Sequence, residues 1–227
     1  MTMREQHLLE RLARRVESVP ASVDRCSSLW LDLVSGGLEI VQASAEPRRS
    51  ILILKARTQP GRPLGARAQG MLERTLLGDR RKVIAYETNV SPSTLAVILK
   101  ESLASLGLRC RPSDVPSSLV MLAHAACGAS EPVGTFIGQC ENEGHRITVL
   151  THLFDDSVLR GLSPSERAVM SLLASGRSCV DIAARRNRSC RTVINQIAAA
   201  CRRLGVSGRL DLLHCFATRP VGAPREP

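Results

Sequence analysis

Long apolar runs are absent from this chain. Uninterrupted apolar runs such as residues 51–54 (Ile-Leu-Ile-Leu) fall far short of the roughly 20 residues that a membrane-spanning helix requires. The first residues carry charge (Arg4, Glu5, Glu10, Arg11) where a signal peptide would be apolar, so the chain is expected to be neither secreted nor membrane-spanning. Aromatic residues make up 2% of the sequence and Trp30 is the only tryptophan, which disfavours an aromatic-lined pocket for a small molecule. Eight cysteines are present, but none forms a C-x-x-C pair and no histidines follow at zinc-finger spacing. No structural metal or cofactor is expected. The thiols read as reduced and mostly buried, and the eleven-residue recurrence of Cys179, Cys190 and Cys201 would make a redox switch only if the fold joined exposed, low-pKa thiols. Also missing are a Gly-rich phosphate loop, a nucleophile elbow and any cluster among the five scattered histidines, so no catalytic residue is assigned and an enzyme is not expected. His152 with Asp155 and Asp156 is too loosely spaced for acid–base or metal chemistry and reads as a polar linker.

What remains is a basic chain of ordinary globular composition. Its 227 residues, 44% hydrophobic and 23% charged, can bury a core as one large domain or two small ones. Thirty-one basic side chains against twenty-one acidic ones leave +10, and because only Lys55, Lys82 and Lys100 are lysines the excess is arginine. That balance points first to nucleic acid.

Self-comparison at an offset of 98 positions reveals an internal repeat. Gly78 falls on Gly176, Ile84-Ala85 on Ile182-Ala183, Asn89 on Asn187, Ser91 on Ser189, Thr94 on Thr192, Leu106-Gly107 on Leu204-Gly205 and Arg111 on Arg209. Upstream, Gly36 meets Gly134, and Ile51-Leu52-Ile53 meets Val149-Leu150-Thr151. In each unit the first part reads as strands: 29–34, 38–41 and 51–55 in one, 136–138 and 146–150 with a polar loop at 141–144 in the other.

The rest of each unit reads as helix. In the second copy Ser163, Pro164 and Glu166 form a capping box with proline at the first helical position, and Gly176 stops that helix. Ser178 caps a second helix over 179–186, Asn187 tolerates the left-handed turn, and Ser189 caps a third. Val193, Ile197, Ala200 and Leu204 then give the third helix one apolar face before Gly205. A short helix, a tight turn and a longer amphipathic helix make a helix-turn-helix.

The pattern Leu162-Ser163-Pro164-x-Glu166, Gly176, Asp181-Ile182-Ala183, Ser189-x-x-Thr192-Val193-x-Asn195 and Leu204-Gly205-Val206-x-x-Arg209 resembles the LuxR-type (GerE-like) DNA-binding domain over about fifty residues. The resemblance implies four packed helices, the third (190–203) in the DNA major groove and the fourth (209–217) at a dimer contact. Two departures from the family pattern are Ile194, where a Lys is common, and Arg188, where an apolar residue is common. The residues agree with the resemblance. Asn195 and Gln196 can donate and accept together at adenine, while Arg188, Arg191, Arg202 and Arg203 are placed for phosphates. The candidate DNA-contacting residues are thus Arg188, Ser189, Arg191, Thr192, Val193, Asn195, Gln196, Ala199, Arg202 and Arg203. The bland alternative is a solvated helix face. The first copy resembles the family more weakly, and its third helix carries Val97 and Ile98 at the positions of Asn195 and Gln196, a pattern that predicts a buried helix without base readout.

The expected fold is α+β: two tandem repeats, each a small antiparallel sheet or hairpin followed by a four-helix LuxR-type bundle. Residues 1–128 would hold an N-terminal helix (5–19), a sheet and the divergent copy; 129–218 a second sheet and the DNA-binding unit, with its core at 161–217; 219–227 a disordered tail. The expected function is sequence-specific regulation of transcription in the cytoplasm, on the bacterial nucleoid when DNA-bound. Its expected partners are double-stranded DNA, a second copy of the chain as a homodimer and RNA polymerase. The alternative is a protein-interaction adaptor or antagonist built from the same repeats.

Overall fold

A computed structural model describes residues 16–46 and 48–218. Its centre is one five-stranded antiparallel sheet in the order β1-β4-β5-β3-β2. The strands are β1 (Val19–Pro20), β2 (Leu38–Glu46), β3 (Arg49–Ala56), β4 (Thr135–Asn142) and β5 (His145–Leu153). The expectation of a separate sheet in each half is therefore replaced by two hairpins sharing one sheet. β3 supplies the reason: Ile51, Leu52, Ile53 and Leu54 are all buried, so the strand needs cover on both faces and a pairing partner on both edges. Leu52 and Leu54 enter the main core, whereas Ile51 and Ile53 join Ile147 and Val149 on the opposite face, where Val16 packs against them. Burial of each such side chain is worth roughly 1.5–3 kcal/mol. The polar loop expected at 141–144 shrinks to Glu143-Gly144, both at positive φ (51° and 75°), the geometry a two-residue hairpin turn requires.

Residues 29–34, expected as a strand, form the second half of helix α1 (Val23–Val34). Ser22 caps it, accepting the Arg25 N–H at 3.3 Å, and Cys26, Leu29, Trp30, Leu33 and Val34 fall on one buried face. Trp30 donates its indole N–H to Glu73 at 2.8 Å. Of the helix expected at 5–19, residues 5–15 lie outside the described residues, and Val19 belongs to β1; the tail at 219–227 also lies outside them.

Helices α2 (Ala66–Leu76), α3 (Arg81–Glu87) and α4 (Pro92–Ser105) begin 98 residues before α6 (Pro164–Ala174), α7 (Cys179–Arg186) and α8 (Cys190–Leu204). The turns also recur in conformation: Gly78 and Gly176 have φ of 97° and 94°, Asn89 and Asn187 of 52° and 49°. At Gly107 a Cβ would lie 2.3 Å from the Ile40 carbonyl oxygen, so only glycine lets the end of α4 dock on β2, where Ile40 N–H donates to Leu106 O at 2.8 Å. The halves differ after that point. In the second, α9 (Arg209–Thr218) packs on α6, as a fourth bundle helix should. In the first, α5 (Ser117–Ala126) lies against α1, β3, β5 and α9 as well as α2, so it is largely a core helix of the whole molecule. One apolar cluster runs from Cys26 to Phe216 through both halves.

Candidate nucleic-acid interface

Three serines hold the unit at 163–204 in register. Ser163 accepts the Glu166 N–H while Glu166 reaches back to the Ser163 N–H, and Ser178 with Asp181 repeats the arrangement at the start of α7. The Ser163 N–H, then its hydroxyl, with Arg203 adding to both, hold the Glu166 carboxyl below the usual range; the Ser178 hydroxyl and N–H do the same for Asp181. Asn187 ends α7 in the left-handed conformation (φ 49°, ψ 53°), and Ser189 caps α8 by accepting the Thr192 N–H at 3.1 Å. Val169, Ile182, Ala183 and Val193 fill the space between the three helices.

This packing decides which candidates face solvent. Arg188, Ser189, Arg191, Thr192, Asn195, Arg202 and Arg203 are exposed. Arg191, Asn195, Ala198 and Arg202 stand at i, i+4, i+7 and i+11, one continuous stripe along α8, with Ile194, 52% exposed, beside it. Val193 is fully buried, so it belongs to the core and is removed from the contact set; Ala199 is half-buried, and the small exposed residue is Ala198. The i+7 step from Arg191 was the signal that would have identified it.

Two further candidates are engaged within the protein. Gln196 is half-buried and donates its amide N–H to Ser165 Oγ at 3.0 Å, where Arg186 also donates at 3.0 Å. Arg203 donates to Glu166 Oε2 at 2.7 Å. Both side chains tie α8 to the start of α6. In the first half Val97 is 54% exposed and Ile98 half-buried, so the expectation that this helix is covered all round fails at Val97: α4 buries Leu95, Leu99 and Leu103 and turns Ala96 and Val97 outward.

Arg209, absent from the candidates, is half-buried between the end of α6 and the chain entering α5. Its guanidinium donates to Leu173 O (2.9 Å), Val115 O (2.8 Å) and Ser117 Oγ (2.7 Å), and burial pulls its pKa down to about 10. It thereby joins the end of α6, the start of α9 and the chain entering α5. His152, Asp155 and Asp156 lie at the end of the sheet rather than in a linker, and each has its own partner: Thr135 for His152, Ser157 for Asp155 and Arg48 for Asp156. Among the described residues no three metal-ligating side chains converge.

Residues 160–216 match the model of the bacterial regulatory proteins of the luxR family. They constitute a LuxR-type helix-turn-helix domain, covering a quarter of the chain. The transcriptional regulatory protein RcsB of Escherichia coli K12 is 27% identical over 137 residues, 60% of this chain and 58% of that protein. RcsB of Salmonella typhimurium and of Shigella flexneri match to the same extent. The aligned region thus spans little more than half the length of these relatives.

Proposed function

From the LuxR-type domain at 160–216 we propose that the chain is a sequence-specific DNA-binding transcription regulator that places α8 in the major groove. The observation that carries this reading is the exposed stripe of α8, in which Asn195 is the amide open to a base edge and Arg188, Arg191 and Arg202 flank it for phosphates. The equal spacing of α2, α3 and α4 with α6, α7 and α8 supports residues 66–105 as a divergent copy of the same motif, one with Ser93 and Val97 where the second has Arg191 and Asn195. Domains at 1–128 and 129–218, a site of action in the cytoplasm and RNA polymerase as protein partner belong to this reading.

The adaptor reading draws on one observation, the exposure of Val83 (42%), Tyr86 (86%) and Val97 (54%) on α3 and α4. Salt dependence of DNA binding separates the two. Each phosphate neutralised contributes roughly 0.9 to the slope of log K against log salt, so three arginine contacts give a slope of about −2.7. A slope near zero, from a folded chain, overturns the regulator and favours the adaptor.

A further inference from the structure

The two halves meet about an internal twofold. On β3, Leu52 stands opposite Leu150 of β5, and the 98-residue offset makes those two residues the same position of the repeat. An antiparallel pair that sets a position against its own equivalent marks a twofold axis through that pair, the arrangement of an isologous dimer interface. Neighbouring elements obey the same relation. Within the sheet β4-β5-β3-β2 stand hairpin against hairpin, with the two-residue β1 added at the β4 edge alone, and α1, which precedes the first hairpin, packs on α5, which precedes the second, with Ser27 Oγ donating to Ala126 O at 3.2 Å. In a lone half-chain β3 or β5 would be an apolar edge strand with unpaired backbone groups, a surface that demands a partner. Here the partner is the other half.

The outer faces of the two motifs differ. Where the second carries Arg188, Arg191 and Asn195, the first carries Val90, Ser93 and Val97, which offer neither a guanidinium nor an amide. Yet Arg80, Arg81, Lys82 and Lys100 are exposed around α3 and α4 and form no ion pair among the described residues, whereas Arg74 is held by Asp79 and Glu87. Unpaired cations on a motif that lacks the amide and guanidinium groups of the second copy's stripe are suited to phosphate contact more than to base selection. The helix expected to dimerise, α9, has Leu212, Leu213 and Phe216 buried within the same chain.

We propose that the chain is a dimer fused into one polypeptide and that a single chain engages one duplex, α8 reading one half-site while α3 and α4 hold phosphates of the adjacent segment. This replaces the homodimer expected from the sequence, and its DNA clause rests on the regulator reading above. Two-half-site DNA has its own twofold, so a twofold-paired chain can present one motif to each half; with one motif blind to sequence, the preferred site has no palindrome.

Sedimentation of the full chain without DNA, over micromolar to hundred-micromolar concentrations, is expected to show a 24.6 kDa monomer; a concentration-dependent dimer overturns the fused pairing. On DNA recovered by selection, one chain per duplex and an asymmetric motif are expected, and two chains on a palindrome overturn it. The triple variant Arg81→Ala, Lys82→Ala, Lys100→Ala, checked for unchanged melting, is expected to weaken all sequences alike. Its salt slope should fall by about 0.9 per lost contact while the preferred motif stays unchanged. An unaltered slope overturns the phosphate role of α3 and α4. A monomer that binds no duplex overturns the regulator reading itself and leaves the internal pairing standing.

Discussion

Asn195 and Gln196 are neighbours on α8, but a helix turns about 100° per residue, and that step sends one amide outward and the other to Ser165. Their variants should therefore fail differently. Asn195→Ala is expected to lower the preference for the selected motif over random DNA about tenfold, one bidentate base contact being worth roughly 1–3 kcal/mol, with the melting temperature unchanged. Competition binding checks it; an undiminished preference refutes the assignment. Gln196→Ala is expected to lose about 1 kcal/mol of stability and to keep the preference, as chemical denaturation and the same competition assay can show. The sequence marks both as polar positions of one helix. What it lacks is Ser165, 31 residues upstream, and Glu166, which takes Arg203 from 37 residues away. Contacts across helices leave no local spacing to read.

At the scale of elements, the helices from α6 to α8 were legible because their ends are written in short-range chemistry: Ser163-Pro164, Gly176, Ser178, Asn187 and Ser189 stand at the observed boundaries. Ser163→Ala removes a side-chain cap and is expected to cost about 1 kcal/mol, measurable by urea titration. Arg209→Met is the more damaging change. It removes the guanidinium donor from the Val115 carbonyl and from Ser117 Oγ, and leaves the Leu173 carbonyl with the Gly176 N–H alone, where α6, α9 and the approach to α5 meet; a loss of about 3 kcal/mol is expected, and a variant as stable as the parent would show that the cation joins nothing. α1 is hidden in the sequence for the opposite reason. Its apolar stretch fits strand and helix alike, and the deciding feature, the Ser22 cap, lies seven residues before the stretch begins.

For the whole molecule, the self-similarity at an offset of 98 is visible in the sequence, but the union of the two hairpins is not, because pairing between β3 and β5 joins residues about a hundred positions apart. Two buried histidines report on that union. His124, on α5 with its ring 5.2 Å from that of His214, and His152, on β5, are both pushed down to about 4, in each case first by burial, with His214 adding to the shift at His124. Above the unfolded value near 6.5 both states are neutral; below it the unfolded chain takes up protons that the folded one refuses. Stability is thus expected to fall from pH 6.5 toward pH 4, by at most about 1.4 kcal/mol per pH unit for each histidine, and equal denaturation midpoints at pH 7 and pH 5 would contradict their burial. The regulator reading is tested most directly by selecting bound sequences from a random double-stranded DNA pool with the intact chain at near-physiological salt. An enriched motif, confined to one half-site, is the predicted result. A folded chain that enriches nothing and binds with a shallow salt slope would contradict it.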